Sequence, residues 1–146
     1  MSNQETKHVM HLIQLLNDGV EFYQEAHEKV KDVKLKQTFE RMANIRSQLL
    51  RRLQPIAIKE KGTPETGHTV AGRTRELYTQ VLAKIKSDTE QAYIDNLEEI
   101  EDKTIAQIQG LIKEAQSPDV VAALEEYYPS FKKCHAEMSQ LKHIHA

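Results

Sequence analysis

The sequence predicts a single all-α domain built as a four-helix bundle. The chain of 146 residues contains only five glycines and four prolines, which suits long helices joined by few turns. Its apolar residues recur in alternating steps of three and four along four long segments, the pattern of helices that pack side by side. We place one domain over residues 1–146, a length that buries about two thirds of the unfolded surface.

Composition and charge exclude several classes of protein. Charged residues make up 29% of the chain, the net charge is -2, and acids alternate with bases, so there is no basic surface for nucleic acid. No apolar run is long enough for a membrane span, and no secretion signal follows the polar first residues. One cysteine, Cys134, cannot form an internal disulfide. We expect a cytoplasmic protein that binds neither nucleic acid nor membranes.

The first two long helices are predicted to be antiparallel neighbours. The first apolar seam comprises Val9, Ile13, Leu16, Val20, Tyr23, His27 and Val30. The second seam comprises Leu35, Phe39, Met42, Arg46, Leu49, Leu53 and Ile56. The link between them, near Lys31 and Asp32, is too short for any other arrangement. Gly19 lies inside the first helix at a cost of about 1 kcal/mol relative to alanine, and we expect a close approach of a neighbouring helix there.

A long connection follows, with a short helix of its own. Lys59 to Thr69 contains two glycines and a proline and is predicted to be a loop. The segment from Ala71 to Lys86 is predicted to be a short helix, and its apolar stripe comprises Leu77, Val81, Leu82 and Ile85. Ser87 stands three residues before Glu90, a capping-box spacing that predicts a new helix start.

Two more long seams complete the chain. The third comprises Ile94, Leu97, Glu101, Thr104, Ile108, Leu111 and Ala115. Ser117, Pro118 and Asp119 then supply the residue types that begin a helix. The fourth seam comprises Val120, Leu124, Tyr127, Phe131, Cys134, Met138 and Leu141.

This order of elements predicts a ferritin-like four-helix bundle with one long crossover that carries a short extra helix. In that connectivity the first and fourth long helices are parallel, as are the second and third. An up-down-up-down bundle of five shorter helices is the alternative.

Several short motifs resemble those of a bacterial ferritin-like four-helix-bundle family of unknown function. They are Asn17-Asp18-Gly19 with Tyr23 and Ala26, Val30-Lys31-Asp32, Leu35-Lys36 with Phe39, Glu101-Asp102, and His135. The resemblance covers nearly the whole chain. It implies the ferritin-like fold and a bacterial source, and it carries no activity.

A ferritin-like di-iron centre needs one Glu from each of two helices and a Glu-x-x-His pair from each of the other two. The second helix has Arg46 and Leu49 at the corresponding positions, and neither can bind a metal. The fourth helix has Lys132 and His135, so only the histidine is present. The third helix keeps Glu101 on its seam.

The first helix offers only Asp18 or Glu21 near its middle, each beside the seam. The weak candidate metal ligands are therefore Glu21, Glu101 and His135, too few for a two-metal centre with bridging carboxylates. We expect no cofactor, with iron or another divalent metal as the alternative.

Arg46 and Glu101 stand on the seams of two parallel helices at similar heights. Buried charges are costly unless they are paired. We therefore predict that this central polar pair replaces the metal. The alternative is that only the aliphatic stem of Arg46 is buried, while its charge reaches solvent.

The sequence indicates no catalytic residues. The leading hypothesis is a non-enzymatic scaffold or interaction protein with a degenerate metal site, acting through a protein partner or as a homo-oligomer. The apolar stripe of the short helix is the predicted contact surface. The alternative is an iron-binding or metal-dependent oxidoreductase of the ferritin-like class, and a small-molecule sensor is a third hypothesis.

Overall fold

The chain is all-helical over the residues that the structure describes. The computed structural model describes residues 1–86 and 93–145, with side chains as far as residue 141. The predicted capping box of Ser87 and Glu90 lies outside these ranges. The five helices are α1 (Asn3–Lys29), α2 (Val33–Lys61), α3 (Arg73–Lys86), α4 (Ile94–Glu114) and α5 (Pro118–His145). None of the helices, as far as they are described, is long and apolar enough to cross a membrane.

Side-chain caps and one glycine determine where the first two helices begin and end. The hydroxyl of Ser2 accepts a hydrogen bond from the backbone N–H of Glu5, and the carboxylate of Asp32 accepts one from Leu35. Gly62 adopts the left-handed conformation (φ 85°) and ends α2. The predicted loop boundary at Lys59 is therefore three residues too early, because α2 continues through Lys61 to this glycine.

One end of the molecule gathers the beginnings of α1 and α5 and the ends of α2 and α4. The Glu5 carboxylate accepts hydrogen bonds from the backbone N–H groups of Gln116 (2.8 Å) and Ser117 (3.2 Å), between α4 and α5. The amino group of Met1 lies 3.7 Å from Glu60 near the end of α2. Consequently α1 runs parallel to α5, and α2 runs parallel to α4.

A polar layer divides the buried core into two apolar clusters. One cluster includes buried apolar residues between Phe22 and Ala26 of α1 and between Leu35 and Ala43 of α2. The other includes buried apolar residues between Val9 and Leu16 of α1 and between Leu49 and Ala57 of α2. The level between them contains the buried polar residues Arg46, Glu101 and Thr104. The third seam is buried from Ile94 to Leu111, whereas its last predicted residue, Ala115, is half-buried and lies just after the end of α4.

Helix α3 packs onto the other helices and covers part of α1. The ring of Tyr78 on α3 stacks on the ring of Phe22 on α1, with the two ring centroids 4.4 Å apart. Because α3 widens the covered face of α1, Gly19 and Ala26 are buried, whereas the seam residues Val20 and His27 are only half-buried.

The apolar stripe of α3 is not an exposed contact surface, so this prediction was wrong. Leu77, Val81 and Ile85 are buried in the core, and Leu82 packs against the same cluster. The stripe packs against the rest of the bundle, since the short helix has no other apolar face that could pack there.

Gly19 provides a stability test with a matched control. A Cβ at Gly19 would lie 2.7 Å from both Cδ and Nε of Arg46, whereas a Cβ at the helical Gly110 would have nothing within 4 Å. We expect Gly19→Ala to destabilise the fold by about 1–3 kcal/mol through overpacking. Gly110→Ala should stabilise it by up to about 1 kcal/mol. Urea unfolding measures both changes, and a Gly19→Ala protein as stable as Gly110→Ala would contradict the close approach.

Candidate functional site

The polar layer is centred on an ion pair between Arg46 of α2 and Glu101 of α4. The Nη2 atom of Arg46 donates to both carboxylate oxygens of Glu101, at 2.6 Å and 3.0 Å. The two side chains are 1% and 0% exposed, so the charges are removed from water. The structure thus brings together the two residues of the predicted central pair, and the guanidinium of Arg46 does not reach solvent.

Neighbouring groups form further hydrogen bonds and ring contacts with Arg46 and Glu101. Tyr23 donates its hydroxyl to Oε1 of Glu101 (3.2 Å), and Nη1 of Arg46 donates to the carbonyl of Met42 (3.3 Å). The guanidinium carbon lies 4.8 Å from the ring centroid of Tyr23 and 5.2 Å from that of Phe131. These cation–π contacts come from α1 and α5, so all four long helices contribute to holding one charge pair.

Burial and charge shift the pKa values of the groups around the pair. Burial by itself would lower the pKa of Arg46, but the carboxylate of Glu101, together with smaller contributions from Tyr23, Tyr78 and Cys134, raises the pKa above its usual value. Burial raises the pKa of the Tyr23 hydroxyl, and the charge of Glu101 adds to this. Burial, again with Glu101, raises the pKa of the Cys134 thiol to about 12. Arg46 therefore stays charged, and the Tyr23 hydroxyl and the Cys134 thiol stay protonated, over the physiological pH range.

A second polar cluster joins α1 to the loop before α3. Asn17 donates through Nδ2 to the carbonyls of Glu65 (3.2 Å) and Gly67 (3.0 Å). The buried carboxylate of Asp18 accepts hydrogen bonds from the backbone N–H and the hydroxyl of Thr69. It also lies 2.7 Å from Nδ1 of His68. This role of Asp18 was not predicted from the sequence. The signal was that two polar residues, Asn17 and Asp18, stand beside an unbroken apolar seam.

The three predicted metal ligands lie in different environments. Glu21 is exposed, and its closest recorded partner is Nε2 of His68 at 3.4 Å. Glu101 is committed to the ion pair. His135 places Nε2 2.5 Å from Oδ1 of Asp102 on α4. In the part of the chain that the structure describes, no group of three or more His, Cys, Asp and Glu side chains is placed to hold a metal ion.

An open cleft of about 770 Å³ lies at the end of the molecule where α1 and α5 begin. It is lined mainly by polar side chains, among them Glu5, His8, Lys59 and Glu114. Along α1 this cleft is about 15 residues from Tyr23, or roughly 22 Å at 1.5 Å per residue. It is therefore separate from the central ion pair.

Comparison with protein-family models matches residues 4–114 to the domain of unknown function DUF2383. The chain belongs to this family. The DUF2383 match covers Asn17-Asp18-Gly19, Arg46 and Glu101 but stops at the end of α4, so Phe131 and His135 of α5 lie beyond it. No curated protein and no solved structure matches the chain.

Removing one member of the buried pair should destabilise this DUF2383 protein strongly. Arg46→Leu leaves the Glu101 charge buried without its partner, and we expect a loss of about 3–5 kcal/mol in the free energy of unfolding. In the double variant Arg46→Leu/Glu101→Leu most of this loss should be recovered, because an apolar pair replaces both charges. Urea unfolding of Arg46→Leu, Glu101→Leu and the double variant gives the coupling energy between the two side chains.

The exposed pair between Arg41 of α2 and Glu137 of α5 is the matched control. We expect Arg41→Leu to cost no more than about 1 kcal/mol, because solvent screens this pair. Equal costs for Arg41→Leu and Arg46→Leu would contradict a dominant role for the buried pair.

Cys134 should be almost inert in the folded protein. With a thiol pKa of about 12, its thiolate fraction at pH 8 is about a thousandfold below that of an exposed cysteine. Alkylation by iodoacetamide should therefore be slower by at least that factor than in urea. Because folding raises this pKa, the contribution of the thiol to stability falls as the pH rises from about 8.5 towards 12. Equal labelling rates in the folded and unfolded states would contradict this account.

Proposed function

We propose that this protein is a non-enzymatic scaffold or interaction protein, built as a ferritin-like four-helix bundle with a degenerate metal site. The observation that carries the proposal is the buried Arg46–Glu101 ion pair at the level where metal ligands would converge. The parallel directions of α1 with α5 and of α2 with α4 support the ferritin-like connectivity. A bacterial source and a cytoplasmic location are part of the same proposal.

The donor chemistry around Glu101 does not fit a di-iron centre. Arg46 has no lone pair to offer, and its guanidinium already occupies both oxygens of Glu101. Leu49, one turn further along α2, has no donor atom. A metal bound here would have to displace a charge-assisted hydrogen-bond network that all four long helices help to hold.

Binding of a protein partner or a second copy fits this arrangement better than chemistry at the centre. The central groups are closed to solvent. The stripe of α3 is covered and offers no contact surface, which removes one support for a partner. The open cleft beside Glu5, His8 and Lys59 is a surface that a partner can reach.

The alternative function, an iron-binding or metal-dependent oxidoreductase, requires Glu21, Glu101 and His135 to act together. Their recorded partners differ: His68 for Glu21, Arg46 for Glu101 and Asp102 for His135. These separate contacts give no support to a metal site shared by the three residues.

Reconstitution with ferrous iron under anaerobic conditions, followed by elemental analysis, tests the proposal. We expect that the protein retains no iron through Glu101 or His135, because Arg46 already neutralises the carboxylate of Glu101. The variants are Glu101→Gln and His135→Gln, and Glu99→Gln on the exposed face of α4 is the control. Stoichiometric iron that is lost in Glu101→Gln or His135→Gln but kept in Glu99→Gln would overturn the proposal.

A further inference from the structure

We propose that His68 and Glu21 form a solvent-accessible site for one divalent transition-metal ion of the zinc type, on the outer side of α1. This site is distinct from the bundle centre, and it does not depend on the proposed scaffold function. It rests on the orientation of one imidazole ring, the spacing of two ligand atoms and the anchoring of the loop that carries the histidine.

The orientation of His68 is set by Asp18. The Asp18 carboxylate lies 2.7 Å from Nδ1 of His68, so this nitrogen carries the proton in the neutral ring. The other nitrogen, Nε2, is then left with its lone pair facing outward towards Glu21. A carboxylate that orients a histidine from behind in this way is the usual support of a metal-binding imidazole.

The spacing between the two ligand atoms suits a shared ion. Nε2 of His68 and Oε2 of Glu21 are 3.4 Å apart. Two ligands at 2.0–2.2 Å from a tetrahedral zinc ion are roughly 3.3 Å apart. By contrast, Nε2 of His135 is only 2.5 Å from Asp102, which is the distance of a direct hydrogen bond with no space for an ion.

The loop that presents His68 is held in place on both sides of the ring. Thr69 is bound to Asp18 through its backbone N–H and its hydroxyl. Gly67 is bound to Asn17 through its carbonyl. The histidine is therefore preformed and loses little conformational entropy on binding, and Glu21 supplies the second ligand from α1.

The charges around the ring favour a cation. The carboxylates of Asp18 and Glu21 face opposite sides of His68, and Nη1 of Arg75, 3.6 Å from Asp18, offsets one of them. His68 and Glu21 also line an open groove of about 630 Å³. Water can therefore complete the coordination, so the ion should exchange readily with solvent.

Zinc titration by isothermal calorimetry tests the site. The titrations use the His8→Gln/His11→Gln/His143→Gln/His145→Gln variant of the full chain as the starting protein, so that terminal histidines cannot bind the metal. We expect one Zn²⁺ per chain, with binding lost in His68→Gln and in Glu21→Gln. Asp18→Asn should weaken binding by about 10- to 100-fold, as is usual when the group behind a metal-binding histidine is changed.

Two controls keep the result interpretable. His135→Gln removes a histidine that also contacts a carboxylate, and its affinity for Zn²⁺ should not change. Glu21 is 71% exposed, so Glu21→Gln should leave the fold intact even if Asp18→Asn loosens the loop. Zinc binding that survives His68→Gln or Glu21→Gln, or the absence of zinc binding at micromolar protein, would overturn the proposal. Binding that is insensitive to Glu101→Gln separates this site from the central one.

Discussion

The enclosure of one ion pair constrains the rest of this structure. Removing Arg46 and Glu101 from water is favourable only if each remaining donor and acceptor finds a partner. The hydroxyl of Tyr23 supplies such a partner to Glu101, the carbonyl of Met42 supplies one to Arg46, and the ring of Phe131 covers the guanidinium. Apolar packing is consequently interrupted at one level, and the core consists of two clusters rather than one.

One turn of α1 contacts both the central ion pair and the loop before α3. Gly19 faces inward and leaves room for the stem of Arg46, which a side chain at that position would displace. Asp18 and Asn17, the two preceding residues, bind the loop before α3. Three consecutive residues therefore couple the buried pair, the crossover loop and the position of α3. The DUF2383 match includes all of them.

The same arrangement separates the interior from the places where chemistry or binding can occur. The central groups are enclosed, and Arg46, Tyr23 and Cys134 keep a single ionisation state near neutral pH. The accessible polar groups lie on the outside, at the cleft near Glu5 and around His68. Helix α5 supplies Phe131 to the centre from beyond the family match, so the closure of the pair depends on a segment that the family model does not include.

The sequence by itself determined the helices and most of their buried faces, because a seam with steps of three and four is a local property of the chain. It also indicated that Arg46 and Glu101 would meet, since two charges on neighbouring buried seams have few other partners. The tertiary structure decided what local periodicity does not encode. The stripe of α3 is buried, Val20 and His27 lie at the edge of the core, and Asp18 binds an irregular loop some fifty residues away. Each of these depends on where the crossover docks, and that position is set by contacts between distant segments rather than by the pattern within any one helix.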